Sequence, residues 1–140
     1  MTKEEKQLLL IDLCARLPYG VICHYNCVIP IEGRELHKAN CIDVLKGIVP
    51  APDGHIGFMV GIDRVNALEG DIKPYLRSLS NMTDEEKTLM ATICLKNAIG
   101  NVEGAVSELS DFYNSRHFDY RGLISMGLAL EAPKDMYKTN

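Results

Sequence analysis

Tryptophan is missing from this chain, and phenylalanine and tyrosine bring the aromatic share to only 6% of 140 residues. Any local cluster of rings is therefore conspicuous. Long apolar runs are missing too: Leu8 to Ile11 follows Lys3, Glu4, Glu5 and Lys6 and is cut at Asp12. A secretory signal needs a longer apolar segment with a small-residue cleavage site, and a membrane helix needs ~18 or more apolar residues. Neither pattern occurs, so we expect a cytoplasmic protein with no membrane partner. Positive charge is not in excess either. A net charge of −4 and a pI near 5.5 give no general attraction to phosphate backbones, so duplex nucleic acid is not an expected partner.

Catalytic signatures are equally scarce. Gly54, Gly57 and Gly61 have neither dinucleotide nor Walker spacing, and no serine elbow or paired-histidine metalloprotease motif is found. Asp84-Glu85-Glu86, and Asp63 with Glu69, are explained as helix caps and solvated turns. Cys23, His24, Cys27 and Cys41 invite a zinc reading. In a strand, however, Cys23 and Cys27 would stand ~13 Å apart with His24 on the other face. Tetrahedral zinc needs ligands converging at ~2.0–2.3 Å, and the same distance defeats a Cys23–Cys27 disulfide unless Asn26 opens a tight turn. The five cysteines are an odd number without an export signal, and are expected as reduced thiols holding no metal. We expect no catalytic residue and no cofactor.

What is present reads as α+β. Thr2 and Glu5 form a capping box, and Leu8, Leu9, Leu13 and Leu17 repeat at helical spacing until Pro18-Tyr19-Gly20, which predicts a helix over Lys3 to Arg16. Val21 to Tyr25 and Cys27 to Ile31, broken at Asn26 and ended by Glu32-Gly33, read as a hairpin. Cys41 to Val49 follows, then turn residues Pro50 to Gly54, then His55 to Ile62 with Ile56, Phe58, Val60 and Ile62 alternating as one strand face. Val65 to Leu79 is polar and reads as a connector, with Lys73-Pro74 extended. Thr83 and Glu86 make a second capping box for a helix with Leu89, Met90, Ile93 and Cys94 as its apolar stripe. After a break at Asn97 to Gly100, Asn101 is placed to cap a third helix carrying Val102, Ala105, Val106, Leu109, Phe112 and Tyr113. A last short helix is predicted after Asp119 toward Leu128, before Ala132-Pro133. The expectation is one domain over residues 1–140. Its β-rich part (about 18–70) holds about four strands in a small antiparallel sheet or partial barrel. A connector (about 71–82) and two or three helices (about 83–132) follow.

The unusual segment runs from Asp111 to Tyr120. It packs Phe112, Tyr113, His117, Phe118 and Tyr120 into nine positions beside Arg116 and Arg121. Arg121 in the first turn of a helix capped by Asp119 could hold an anion, and Tyr113, His117 or Tyr120 could stack on a planar group. Alternatively Phe112 and Phe118 are core, Asp119 is a cap, and Arg116 and Arg121 are solvated or paired with Glu131. Lys73, Tyr75 and Arg77 alternate and would share one face of an extended strand, as a binding patch or as charges guarding a sheet edge.

The string HFDYRGLISMGLALEAPKDMY (His117 to Tyr137), preceded by IKPYLRSLSNMTDEE (Ile72 to Glu86), resembles a pairing in small uncharacterised proteins of Bacteroidales-type gut bacteria and of their phages and prophages. The resemblance covers about a quarter of the chain and has no assigned chemistry. It implies a phage or prophage accessory protein in the cytoplasm of a bacterial host cell, acting by stoichiometric binding. The expected partner is a small nucleotide-like anionic ligand, as in sequestering an immune signal for counter-defence, or a host protein, with the chain a possible homo-oligomer. The alternative is a replication accessory protein that stacks single-stranded nucleic acid on its β unit.

Overall fold

Thr2 and Glu5 close the first capping box: the Glu5 amide donates to Thr2 Oγ1 (3.1 Å) and the Thr2 amide to Glu5 Oε2 (2.9 Å). In the computed structural model this box opens helix α1 (Lys3–Arg16), which buries Leu9 and Leu13 together with Asp12 and Arg16. A 3₁₀ turn over Leu17–Tyr19 and Gly20 at φ +67° then end it. The structure describes residues 1–50, 56–66, 71–99 and 102–137. Positions 51–54 of the expected turn, His55, Glu69 and the cap expected at Asn101 lie outside them.

Strands β1 (Ile22–Ile31) and β2 (Arg34–Pro50) form an antiparallel pair joined through Glu32-Gly33, both at positive φ. The expected hairpin centred on Asn26 is therefore a single strand. Asn26 makes a bulge instead of a turn. Its Oδ1 accepts the Asn40 amide (2.9 Å), its own amide donates to the Asp71 carbonyl (2.9 Å), and Asn40 adopts φ +56°. Such a bulge bends the strand and re-aims the side chains beside it.

Strands β3 (Ile56–Val60), β4 (Asp63–Asn66), β5 (Ile72–Leu76) and β6 (Leu130–Glu131) complete a sheet of order β4-β3-β2-β1-β5-β6. It has six strands where about four were expected, and it is mixed, because β6 lies parallel to β5. Of the strands not expected, β5 falls in Val65 to Leu79 and β4 starts just before it at Asp63, and the irregular, polar pattern there disguised them. Pro74 lies opposite Cys23, and Ile72, Pro74 and Leu76 are buried in alternation with Lys73 and Tyr75. The sheet is open but curled. In strand order β4 stands three places from β1, yet Tyr25 of β1 donates to Asp63 of β4 at 2.6 Å.

The main core fills this curl and the space under α1, with Leu13, Val21, Cys23, Leu45, Phe58, Val60, Ile72 and Leu76 at its centre. Phe58 and Val60 face it as the alternation predicts, whereas Ile56, expected on the same face, is 39% exposed. The strand ends at Val60, however, and Ile62 is 90% exposed in the β3–β4 turn.

Thr83 and Glu86 close the second capping box (3.0 and 3.2 Å) and open α2 (Asp84–Ile99), which packs on α3 (Val102–Ser115). Met82, Ile93, Phe112 and Phe118 form their small core. The predicted last helix is not formed. Residues 119–128 make turns, with Gly122 and Gly127 at φ +75° and +76° and Asp119 accepting the Leu123 (2.7 Å) and Ile124 (3.0 Å) amides. Positive φ at two glycines within one stretch is incompatible with a helix there. Among the described residues no helix is long and apolar enough to cross a membrane.

Candidate functional site

The basic and aromatic residues singled out above converge on one seam, where the turns after α3 close against α1, β1, β5 and the start of α2. Arg121 Nη1 donates to Asp12 Oδ1 (2.6 Å), whose other oxygen takes Arg16 Nε (2.9 Å), and Arg16 Nη2 donates to the Phe118 carbonyl (2.6 Å). Arg121 thus stands in no helix N-terminus and pairs with Asp12, whereas Glu131 accepts from Asn81 (3.3 Å). Arg77 and Arg116 share Glu86, at 2.7 and 3.5 Å. Arg77 also lies 4.3 Å from the Phe118 ring centre. Tyr113 and Tyr120 stack at 5.0 Å, and Arg121 covers Tyr120 at 4.4 Å. The faces proposed for a planar ligand are therefore occupied by neighbours.

His117 is buried at φ +62° and stacks on Tyr137 at 3.9 Å. The Tyr137 hydroxyl accepts the Ile22 amide (2.7 Å) and donates to the Tyr75 carbonyl (2.8 Å), tying the last turn to β1 and β5. Lys73 and Tyr75 lie half-buried on β5, which is flanked by β1 and β6 and is not a sheet edge. Arg77 leaves the face it was expected to share with them and turns to Glu86.

Electrostatics follow from this geometry. Burial pushes the Glu86 carboxyl up, but the Arg77 guanidinium and the Thr83 amide outweigh it and hold the group at about 2. Burial, reinforced by the Arg16 and Arg77 charges, drives His117 down to about 4, so the imidazole is neutral at ordinary pH. Burial and the nearby Asp12 raise the Cys23 thiol to about 12, and burial raises Cys14 and Cys27. Thiolate nucleophiles and an imidazolium acid are thus disfavoured at these positions. All five cysteines are free, and among the described residues no three His, Cys, Asp or Glu side chains converge as metal ligands would.

Family models, curated proteins and solved structures returned no match to this chain.

One surface that presents apolar side chains to solvent lies on α2. Of the stripe expected from sequence, Ile93 is buried and Met90 half-buried, while Leu89 and Cys94 are exposed. A second stripe occupies the opposite side. At 100° per residue Ala91, Leu95, Ala98 and Ile99 point away from Glu86 and Ile93, and Leu95 is 61% and Ile99 77% exposed. Thr88 and Thr92 lie on this side too, with their hydroxyls donated to the carbonyls four residues back (3.0 and 2.9 Å). Beside it runs a furrow of about 490 Å³ whose floor includes Tyr19, Leu89, Ile93 and Phe112 and whose rim carries Lys96, Glu108, Asp111 and Arg116. The 3.6-residue period makes the second stripe visible in the sequence, although a helix with apolar residues on two faces reads as one ordinary amphipathic helix when only one stripe is sought.

Proposed function

We propose that this chain is a non-enzymatic binding protein, an accessory factor of the phage and prophage type its sequence resembles, and that it occupies a host protein rather than a nucleotide. The outward face of α2 carries this reading. Removing water from Leu95, Ile99 and the neighbouring alanines favours association, and the two threonine hydroxyls are already paired within the helix, so covering them strands no donor. The furrow beside it, apolar below with both signs of charge on its rim, suits an amphipathic helix of the partner. A nucleotide is less well served, because Arg16, Arg77, Arg116 and Arg121 are engaged with carboxylates or carbonyls inside the chain.

The test is comparative. Tagged wild type and a Leu95→Glu/Ile99→Glu variant with an unchanged melting temperature are purified from host cells and weighed intact by native mass spectrometry. A polypeptide bound stoichiometrically to wild type, lost from that variant and kept by a control Ile42→Glu on the sheet, supports the reading. A copurified nucleotide or oligonucleotide, a second copy alone, or a protein retained by the α2 variant overturns it.

A further inference from the structure

Beyond Asn26 the β1–β2 pair continues as a two-stranded ribbon. Strand β5 pairs with β1 over Cys23–Tyr25 and β3 with β2 over Leu45–Pro50, so among the described residues neither Cys27–Ile31 nor Arg34–Lys38 has a strand on its outer side. Cys27 and Ile29 still rest on the main core, but every residue from Glu32 to His37 is exposed, and Ile31 and Leu36 are uncovered to 49% and 50%. A two-stranded ribbon is marginal in water, and a further strand stabilises it.

The two edges of the ribbon differ. Its turn is the two-residue Glu32-Gly33, both at positive φ, which makes Ile31 and Arg34 a hydrogen-bonded pair and sets the direction of the peptide groups by alternation from there. On β1 the outward groups are those of Asn26, Val28 and Pro30, and the Asn26 amide does reach outward, to the Asp71 carbonyl. Pro30 has no N–H to offer, which blunts that edge. On β2 the outward groups are those of Glu35 and His37, and no proline lies between Pro30 and Pro50.

The β2 edge also complements itself about a two-fold axis. With Leu36 on the axis, Glu35 and His37 of the partner subunit exchange main-chain hydrogen bonds and place a carboxylate beside an imidazole, once on each side. Ile29 stands opposite Leu36 within the chain, so the two leucines join an apolar row that runs across both ribbons on one face. Arg34 falls opposite Lys38 of the partner subunit, a lysine already paired with Asp63 at 3.0 Å. An axis at His37 would instead set Leu36 against that lysine and Glu35 against an alanine, losing both matches. We propose that this chain forms a homodimer by antiparallel pairing of β2 with β2 of a second copy, Leu36 at the axis, so that two ribbons become one four-stranded sheet. The contact uses β2 and not α2, and so stands apart from the host-protein reading.

Sedimentation equilibrium of purified wild type over a concentration series should show the mass rising from 15.6 kDa toward about twice that value. His37→Pro removes an outward donor that no strand of its own chain uses, so it should keep the melting temperature of the dilute protein and hold the mass at one chain throughout. Val28→Pro, the matching change on the β1 edge, should dimerise as wild type does, and so should Leu95→Glu/Ile99→Glu. Wild type that stays at one chain overturns the proposal, as does a folded His37→Pro that still dimerises or a dimer lost from folded Val28→Pro or from the α2 variant. Should His37→Pro fail to fold, hydrogen exchange on wild type decides. The Glu35 and His37 amides should gain protection as concentration rises, and exchange there that ignores concentration overturns the proposal.

Discussion

Asp12→Asn isolates the charge that holds the seam together. The carboxylate is fully buried and lies 2.9 Å from Arg16 Nε and 2.6 Å from Arg121 Nη1, and Arg16 is itself at 0% exposure. Asparagine keeps the volume and one acceptor oxygen but opposes an amide N–H to a guanidinium and leaves Arg16 without a counter-charge. Breaking one half of a buried pair in this way costs about 3–5 kcal/mol, a large share of a folding free energy that is typically about 5–15 kcal/mol. Urea unfolding followed by circular dichroism should show the midpoint falling with the slope unchanged. Replacing the pair by Asp12→Asn with Arg16→Met should recover part of the loss, because the orphaned charge is then gone. A cost below about 1 kcal/mol for Asp12→Asn alone would refute the reasoning, since it would mean that water reaches Arg16 in the folded chain.

Acid should lower the stability in two pH windows. His117 has a folded pKa near 4, below its ordinary 6.5. Its contribution is therefore complete above about pH 6.5 and lost as pH falls toward 4, by up to ~3 kcal/mol at ~1.4 kcal/mol per unit. His117→Asn, which suits the positive φ, should flatten urea-midpoint-against-pH curves in that window. The Glu86 contribution, with a folded pKa near 2 against 4.5, should persist there and disappear only as pH falls from about 4.5 to 2. Phe58→Ala should cost about 3–5 kcal/mol in a denaturant melt, because the ring is fully buried between the sheet and its neighbours. Gly61→Ala should cost about 1–3 kcal/mol in the same assay, since the residue sits at φ +59° and an added Cβ would fall on the Asp43 carboxylate.

How much of this was legible depended on whether a signal was local. Both capping boxes were readable as spacings of three and each closes as read. Glu86 also joins two arginines, one of them 30 residues away, and no spacing rule announces that pairing. Strand β5 was hidden because the polarity of Val65 to Leu79 read as a connector, although Lys73-Pro74 was read as extended and Pro74 fills a buried alternating position. The helix drawn over Asp119 to Leu128 failed for the converse reason. Its apolar spacing was helical, but Asp119 binds amides four and five residues on, closing a turn. The alternative reading of the aromatic and basic excess placed Phe112 and Phe118 in the core and allowed Arg116 and Arg121 a carboxylate partner, but it named Glu131, and no local spacing pointed to Glu86 or Asp12.

The seam also bears on time. Asp12 meets Arg121 across 109 residues, Arg16 meets Phe118 across 102, and Tyr137 reaches Ile22 across 115. At synthesis rates of ~5–20 residues per second, the first helix waits on the order of 5–20 s for the groups that dock it. Through that interval Asp12 and Arg16 can pair within one helical turn, but Leu9 and Leu13 have no finished surface to cover them. Contacts so distant in sequence slow the search for the native pairing, and the nascent chain is exposed to self-association until its last turn has been made.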